Sequence, residues 1–597
     1  FILLLILFFT LNSYPDSYKY NSYNNHGVVG LINTPTARLY DESIHGITIF
    51  KGSPDQKITL TSSPYNWMEA SFFYTNIPSR PYCYIDQDFC KQGYKDKGFN
   101  VKFRVKEEGV FPAIAFGIND IAGTGFYSSE YIVASYGLNK IDLHFGIGWG
   151  TLNGSKNKFK NPLGIFNEKF YTRPVNIEDR GGQFQLSRYF SDQDASPFFG
   201  ISYAPNSKLI LKIENDTTKT PGRVRYAEPR KQVSFGIEYQ LSDNISIGFA
   251  NERGNYDSLK FIYKNNPKKK SLEYSYKKPK FDNKDNNYTK LIKAIEENSI
   301  GVNRIIETSD FIGLEVTQFA HPNLDIIEKI IKTASYDAGI NKEIKTNYVI
   351  ANLQGVSEFS SEYDRNFKLI YQRNAKSRFN SKTNLSLRPF LASREGFFKG
   401  SIDLVNNSEF ILRDNFFFTT NIKYTLFDNY EDLTLPAVFS YPAQVRSDVK
   451  DYLKNSNQSI HIGRAQFDYH HSLINNHHIM FTAGILEDMY TGLGFEYLYF
   501  NPNLNYAVGF EVFDVIKRDY KMRFGQLDYR NIVHSANFYY RNYKIIPFDA
   551  KASYGEYLAG DEGITIELSR TFSNGTEFGV FASFTDVSSE QFGEGTF

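Results

Sequence analysis

The sequence predicts a mainly β protein of the outer-membrane β-barrel class, with two β-barrel regions flanking a small α/β module. Three observations predict it. Many short segments alternate apolar and polar residues, the period of a strand whose successive side chains face opposite ways. Tyr and Phe are abundant, 43 and 53 of 597 residues, and recur near strand ends as in interfacial girdles. The chain opens on FILLLILFFTLNS, an apolar run too short to span a bilayer as a helix and followed by polar sequence.

Composition narrows the class. Lys and Arg number 67 against 66 Asp and Glu, a net charge of +1, which carries no electrostatic footprint for nucleic acid. Charged residues make up 22% of the chain and mean hydropathy is −0.42, so a helical membrane protein is excluded. Residues 1–20 read as the remnant of a secretory signal peptide, its basic start missing. Cys83 and Cys90, the only cysteines, stand in CYIDQDFC between two strand-like runs. In an oxidising compartment they form a candidate loop disulfide, and their spacing and surroundings do not suit zinc.

The first β region spans 26–280. Its candidate strands are Ile44–Phe50, Lys57–Ser63, Met68–Tyr74, Phe99–Val105, Ala113–Ile118, Tyr131–Tyr136, Ile141–Trp149, Gln183–Tyr189, Phe198–Tyr203, Leu209–Ile213, Val233–Tyr239, Ile245–Ala250 and Leu259–Tyr263. Strands this short and regularly punctuated build a sandwich or a barrel. The plainest case is the seventh. Ile141, Leu143, Phe145, Ile147 and Trp149 form one broad apolar face, and Asp142, His144, Gly146 and Gly148 form the other. That division suits lipid outside and a wet or tightly packed interior.

The pattern changes over 285–370. A basic connector (Lys268, Lys269, Lys270, Lys277, Lys278 and Lys280) leads into Tyr288–Asn298, read as a helix with Leu291, Ile292 and Ile295 on one face. A strand pair at Val302–Glu307 and Phe311–Gln318 follows. Next come a second helix at Leu324–Ala334 capped by Asn323 and a strand at Ile344–Ala351. Alternation returns over 380–597: Phe418, Thr420, Ile422, Tyr424 and Leu426; Leu493, Phe495, Tyr497 and Tyr499; Tyr506, Val508, Phe510 and Val512; Ile564, Ile566 and Leu568; Phe578, Val580, Ala582 and Phe584.

Three segments resemble a known family: NTPTARLYDE, KGFNVKFRVKEEG and FPAIAFGINDIAGTGFYSSEYIVASYGLNKIDLHFGIGWG. With the late segment YGEYLAGDEGITIELSRTFSNGTEFGVFASFTDVSSEQFGEGTF, they are similar to the YjbH/GfcD/WbfB-type exopolysaccharide (capsule) outer-membrane proteins. The resemblance implies a Gram-negative outer-membrane barrel protein with its α/β module in the periplasm. It implies a part in production or export of extracellular polysaccharide, as a passage or docking surface for the polymer. The implied partners are outer-membrane lipid, the polysaccharide and other proteins of an export locus. Members of the family continue past FGEGTF, so the second region is expected to lack its last strands.

Candidate chemistry is sparse. INDIAGTGFYSSEY brings together Asp120, Thr124, Ser128, Ser129 and Glu130; with Trp149 they are the candidate polysaccharide contacts. The competing reading is structural, a Gly-rich turn whose carboxylates cap it or pair inside the barrel. GTG is not GxGxxG and no P-loop Lys follows, so no nucleotide site is indicated. Asp561 and Glu562 in LAGDEG read as a solvated turn, because glycosidase carboxyls must face each other across a bond. His470, His471, His477 and His478 read as a hairpin with His at both strand ends. The Lys cluster reads as a solvated linker, with an anionic polymer or lipid head group as the alternative. No catalytic residue, metal or cofactor is expected. A general porin and a polysaccharide-modifying enzyme are the alternative functions.

Overall fold

The structure is a computed structural model. It describes residues 20–587 apart from 54, 82–92, 122, 175–185, 220–229, 267–275, 318–323, 351–352, 358–366, 374–377, 392–397, 414, 432, 434–444, 447, 458, 475, 502–503, 543–545 and 573–574. Cys83, Cys90, Asn323, Lys268, Lys269, Lys270 and the apolar leader lie outside the described residues. The chain forms two compact units, one built on the sequence up to Asn266 and the other mainly on the sequence after it.

The first unit contains β1 (His45–Lys51), β2 (Gln56–Tyr65), β3 (Met68–Pro81), β4 (Gly93–Lys106), β5 (Ala113–Ile121), β6 (Ser129–Leu138), β7 (Ile141–Gly148), β8 (Phe159–Lys160), β9 (Asp194–Asn206), β10 (Leu209–Asn215), β11 (Val233–Gln240), β12 (Ile245–Glu252) and β13 (Tyr256–Asn265). Each strand pairs antiparallel with the next, β7 passing to β9, and β13 returns to β1. Twelve strands therefore close into a barrel, with β8 attached to β9 at the side. Closure removes the unpaired edges that an open sheet would leave in lipid.

Register sorts the side chains by face. Ile47 lies between Leu60 and Tyr263, and all three are exposed on the outside; the next residue, Thr48, lies between Thr59 and Ile262, and all three are buried. The same division runs round the ring. Phe145, Phe199, Ile201, Leu211, Phe235, Ile237, Phe249 and Leu259 face outward, whereas Glu69, Lys102, Asp142, Lys212, Glu214, Glu238 and Lys260 are buried inside. An apolar exterior around a charged interior inverts the arrangement of a water-soluble protein and is that of a strand barrel in lipid.

Two expectations need correction here. Trp149 does not extend the outward face of β7. The strand ends at Gly148, Gly150 (φ 62°) opens a short 3-10 turn, and Trp149 is buried edge-on against Phe190. Gln183–Tyr189 is not a strand over its described part: Leu186–Arg188 is a 3-10 turn, the Tyr189 N–H turns back to the Leu186 carbonyl, and the Phe190 N–H is taken by the Glu130 carboxylate instead of a strand partner.

In the second unit, β14 (Gly301–Glu307), β15 (Phe311–Thr317), β16 (Glu343–Ile350), β17 (Leu353–Ser357) and β18 (Lys368–Gln372) form a sheet ordered β17-β16-β15-β14-β18. The parallel pair β15–β16 requires a crossover, which α2 (Leu324–Asp337) provides; α1 (Asn287–Glu297) precedes β14 and is capped by the Asn286 side chain. Leu291 and Ile295 of α1 and Ile327 and Ile330 of α2 pack with Ile305 and Leu314 of the sheet into one dry core.

The rest of this unit is a sheet of eleven strands in chain order. They are β19 (Arg378–Leu391), β20 (Phe398–Arg413), β21 (Phe416–Asp428), β22 (Ile460–Ile474), β23 (His477–Ile485), β24 (Tyr490–Phe500), β25 (Tyr506–Arg518), β26 (Gln526–Asn542), β27 (Phe548–Glu556), β28 (Glu562–Thr571) and β29 (Glu577–Thr585). A short helix, α3 (Val449–Asn455), lies between β21 and β22. The predicted apolar faces are in register: Tyr497 opposite Phe510, Tyr499 opposite Val508, Ile564 opposite Phe584, Leu568 opposite Val580. The expectation of a second barrel is not met among the described residues, where no pairing joins β29 to β19.

Candidate functional site

Residues 21–40, in which the sequence predicted no strand or helix, occupy the barrel interior. Tyr23, Val28, Val29, Leu31, Ile32, Thr34, Ala37 and Leu39 are buried there. The strands hold this segment mainly by its backbone. Glu69 Oε1 accepts the Val29 N–H at 2.9 Å, and Lys102 donates to the Val29 carbonyl at 2.9 Å while pairing with Glu69 at 3.1 Å. Lys212 donates to the Leu31 carbonyl at 3.1 Å and to Ser22 Oγ at 2.8 Å. Lys260 donates to the Tyr23 carbonyl, and Ser22 donates to Glu238.

The tightest hold is on Ile32–Thr34. Glu214 accepts the backbone N–H groups of Ile32 (3.1 Å), Asn33 (2.8 Å) and Thr34 (3.1 Å) and the Thr34 hydroxyl (2.6 Å). Asn33 donates in turn to Asp216 at 2.9 Å and Glu252 at 2.8 Å, and Asn25 donates to Glu252 at 2.9 Å. Arg38 closes the far end with two bonds to Asp142, at 2.6 and 2.8 Å, and a contact to Glu108. Among the described residues, a cavity of about 10 Å³, barely that of one water, lies among Asn25, Leu31 and Ile32 of the segment and Lys212, Glu238 and Lys260 of the strands.

The segment also carries a histidine with a shifted titration. Lys57 Nζ stands 3.1 Å from His26 Nδ1, with Asp55 next to Lys57 at 3.5 Å. Burial first, then the Lys57 cation, push the imidazole down to about 3, against the opposing pull of Asp55 and Asp216.

The predicted contact residues fall in the wall and loops of the same barrel. Glu130 is fully buried and takes a two-pronged ion pair from Arg173, at 2.8 and 3.0 Å, together with the Phe190 N–H at 3.1 Å. Ser128 accepts from Arg173 at 2.7 Å, and Ser129 accepts from Asn119 at 2.9 Å. Asp120, at φ 57°, accepts the Tyr127 N–H at 2.9 Å, and Thr124 donates to Asp96 at 2.8 Å. Gly125 is required: its φ is 78°, and a Cβ there would lie 2.1 Å from the Arg188 guanidinium. The structure thus brings Ser128 and Glu130 together round Arg173 and sets Asp120 and Thr124 apart near β4. Asp120, Ser128, Ser129, Glu130 and Trp149 are all buried.

The remaining motifs resolve as turns. Asp561 lies in the turn from β27 to β28, where its carbonyl accepts the Tyr557 N–H, and Glu562 accepts from Tyr554 at 2.6 Å; the turn is solvated only at Glu562, since Asp561 is buried. The histidines sit at the β22–β23 hairpin: His478 bonds Ser472 at 2.9 Å and His477 bonds Tyr497 at 2.7 Å. No group of three metal-ligating side chains occurs among the described residues. The residues that sequence reasoning missed are Lys212, Glu214, Glu238 and Lys260. Their signal was present, since a charge at an inward position of an otherwise apolar strand must find a partner.

Fold and interior together define a β-barrel with a lipid-compatible exterior and a lumen filled by its own N-terminal segment. The chain belongs to the YjbH family: the model described as "Exopolysaccharide biosynthesis protein YbjH" matches residues 22–367 and 323–597. The "Uncharacterized lipoprotein YjbH" of Escherichia coli (strain K12) is 27% identical over 632 aligned residues, which cover 96% of this chain and 88% of the relative. Among solved structures, the NanC porin aligns to 36% of this chain and 97% of its own, at 13% identity and a TM-score of 0.20. The ferric yersiniabactin receptor FyuA of Yersinia pestis aligns to 92% of this chain and 72% of its own, at 7% identity and a TM-score of 0.15. Scores this low bear on neither fold nor function.

Proposed function

We propose that this chain is an outer-membrane component of exopolysaccharide production in a Gram-negative cell. It meets the polymer on a docking surface and does not pass it through the first barrel. The observation that carries the reading is the inverted barrel, apolar outside and charged inside, in a chain of the exopolysaccharide-biosynthesis family. The exterior suits lipid, and the occupied lumen argues against a conduit in the first unit. The α/β module is assigned to the periplasm, where it would meet other proteins of the export locus.

Deletion of the coding sequence, with and without complementation, tests this. Loss of cell-surface polysaccharide, with the complementing protein in the outer-membrane fraction, is the expected result. Unchanged surface polysaccharide would sink the proposal. A general porin is the competing reading. Steady conductance in planar bilayers that persists when the N-terminal segment is cross-linked to the barrel wall would favour it.

A further inference from the structure

The second sheet presents a polar face opposite the apolar one. Asn421 and Lys423 on β21 alternate with Ile422 and Tyr424, which are exposed on the other side. On the polar face, β19–β22, Arg446, α3 and the loop after β23 enclose a cleft of about 710 Å³, within the roughly 300–1,000 Å³ usual for ligand sites. Lys382, Arg388, Lys423, Arg446 and Arg464 line it, against Glu409, Glu487 and Asp488.

Two of the three acids are spent in holding cations; Glu409 has no cation partner among the described residues. Asp488 takes Arg388 at 2.9 Å and Lys423 at 2.9 and 3.0 Å, and Glu487 takes Arg446 at 2.9 and 3.2 Å. Burial alone would raise the Asp488 carboxyl, but Lys423 and Arg388 hold it below the usual range, so it stays charged. Arg464 gives only its Nε–H, to the Leu486 carbonyl at 3.3 Å, and among the described residues neither Arg464 nor Lys382 has a carboxylate partner. Space for the cluster is built in at Gly463, where a Cβ would lie 2.3 Å from Asn421 Oδ1 and 2.7 Å from Lys423 Cε.

We propose that this cleft binds the carboxylate-bearing sugar units of an acidic polysaccharide, with Arg464 and Lys382 as the charge-reading residues. Guanidinium groups match a carboxylate with paired donors, and the neighbouring Asn407, Asn421 and Thr419 offer amides and a hydroxyl to ring hydroxyls. A lipid is the poorer fit, because the cleft opens on the face away from the apolar exterior. The same polar face supplies a contrast. A cleft of about 640 Å³ over β24–β29 carries five carboxylates, Glu496 and Glu511 among them, against Arg541 and Lys551, and would repel the same polymer. The inference rests on the polysaccharide reading above.

The test uses the full chain in detergent micelles and titrates tetragalacturonate, a uronate oligosaccharide, and maltotetraose, its neutral counterpart. The expected result is salt-sensitive binding of the uronate alone, weakened about tenfold or more by Lys382→Gln with Arg464→Gln, roughly the loss of one charge pair. Both residues lack acid partners among the described residues, so this variant should fold. Glu496→Gln with Glu511→Gln, in the acidic cleft, should leave uronate affinity unchanged or raise it. Equal binding of the two sugars, no uronate binding, or affinity untouched by the basic-cleft variant would each overturn the assignment. So would binding of a phosphorylated glycolipid headgroup in place of the uronate. If deletion removes surface polymer but uronate does not bind, only the site fails. If uronate binds but deletion leaves the polymer unchanged, only the cellular role fails.

Discussion

Thr34 gives both its hydroxyl, at 2.6 Å, and its backbone N–H, at 3.1 Å, to one carboxylate oxygen of Glu214, 180 residues further along the chain. With the N–H groups of Ile32 and Asn33 on the same carboxylate, this clasp ties the N-terminal segment to β10. Glu214→Ala would leave these donors buried and unpaired, at about 3 kcal/mol in holding the segment. Amide hydrogen exchange should show Ile32–Thr34 protected in the parent chain and exchanging in the variant while the strand amides stay protected. Equal protection in both would refute the clasp.

The exterior can be tested at Ile201, which faces outward between Leu143 on β7 and Ile213 on β10. Ile201→Arg should cost about 2–4 kcal/mol of folding free energy in a bilayer if the residue meets the hydrocarbon. Urea titration in lipid vesicles, with Ile201→Leu as the control, measures this. A cost within error of zero would place the face in water.

Glu130, offered by the sequence as a sugar contact, forms a buried pair with Arg173. Arg173→Ala strands a fully buried carboxylate and should cost about 3–5 kcal/mol. Adding Glu130→Gln should recover part of that loss, because the uncompensated charge goes with it. Thermal melts of the two single variants and the double variant form the cycle, and simple additivity would show that the pair does not act as one unit.

The His26 imidazole predicts a pH dependence. In the held segment it is pushed, by burial and then by Lys57, from the ordinary 6.5 down to about 3. A released segment would bind the proton near 6.5. The holding free energy contributed by neutral His26 is therefore fully present above 6.5 and is lost as pH falls from about 6.5 toward 3. Protease cleavage within residues 20–44 should rise as pH is lowered through that window, and His26→Asn should flatten the rise. A profile identical in the two chains would discount the histidine.

Much of the architecture was legible because strand alternation is a local property. The expected strands at Ala113–Ile118 and Val233–Tyr239 lie within Ala113–Ile121 and Val233–Gln240, and Ile564, Ile566 and Leu568 share one face as read. The α/β module was legible for the same reason, its two helices having apolar residues at helical spacing. Trp149 was misread because alternation does not say where a strand stops; the turn at Gly150 and the contact with Phe190 decide that. The candidate site was less legible. The residue types in INDIAGTGFYSSEY suit a sugar site and a buried polar network equally well, and only the position of Arg173, 43 residues beyond Glu130, favours the network.

The sequence by itself determined that strands form, which side chains share a face and that one face is apolar, since each follows from a two-residue period. Tertiary structure alone decided that twelve strands close into one ring and that residues 21–40 lie inside it. It also decided that Lys212, Glu214, Glu238 and Lys260 spend their charge on that segment and that, among the described residues, Arg464 and Lys382 find no carboxylate. These outcomes depend on contacts between residues tens to hundreds of positions apart. Their energy comes from pairing buried charge, which no local pattern encodes.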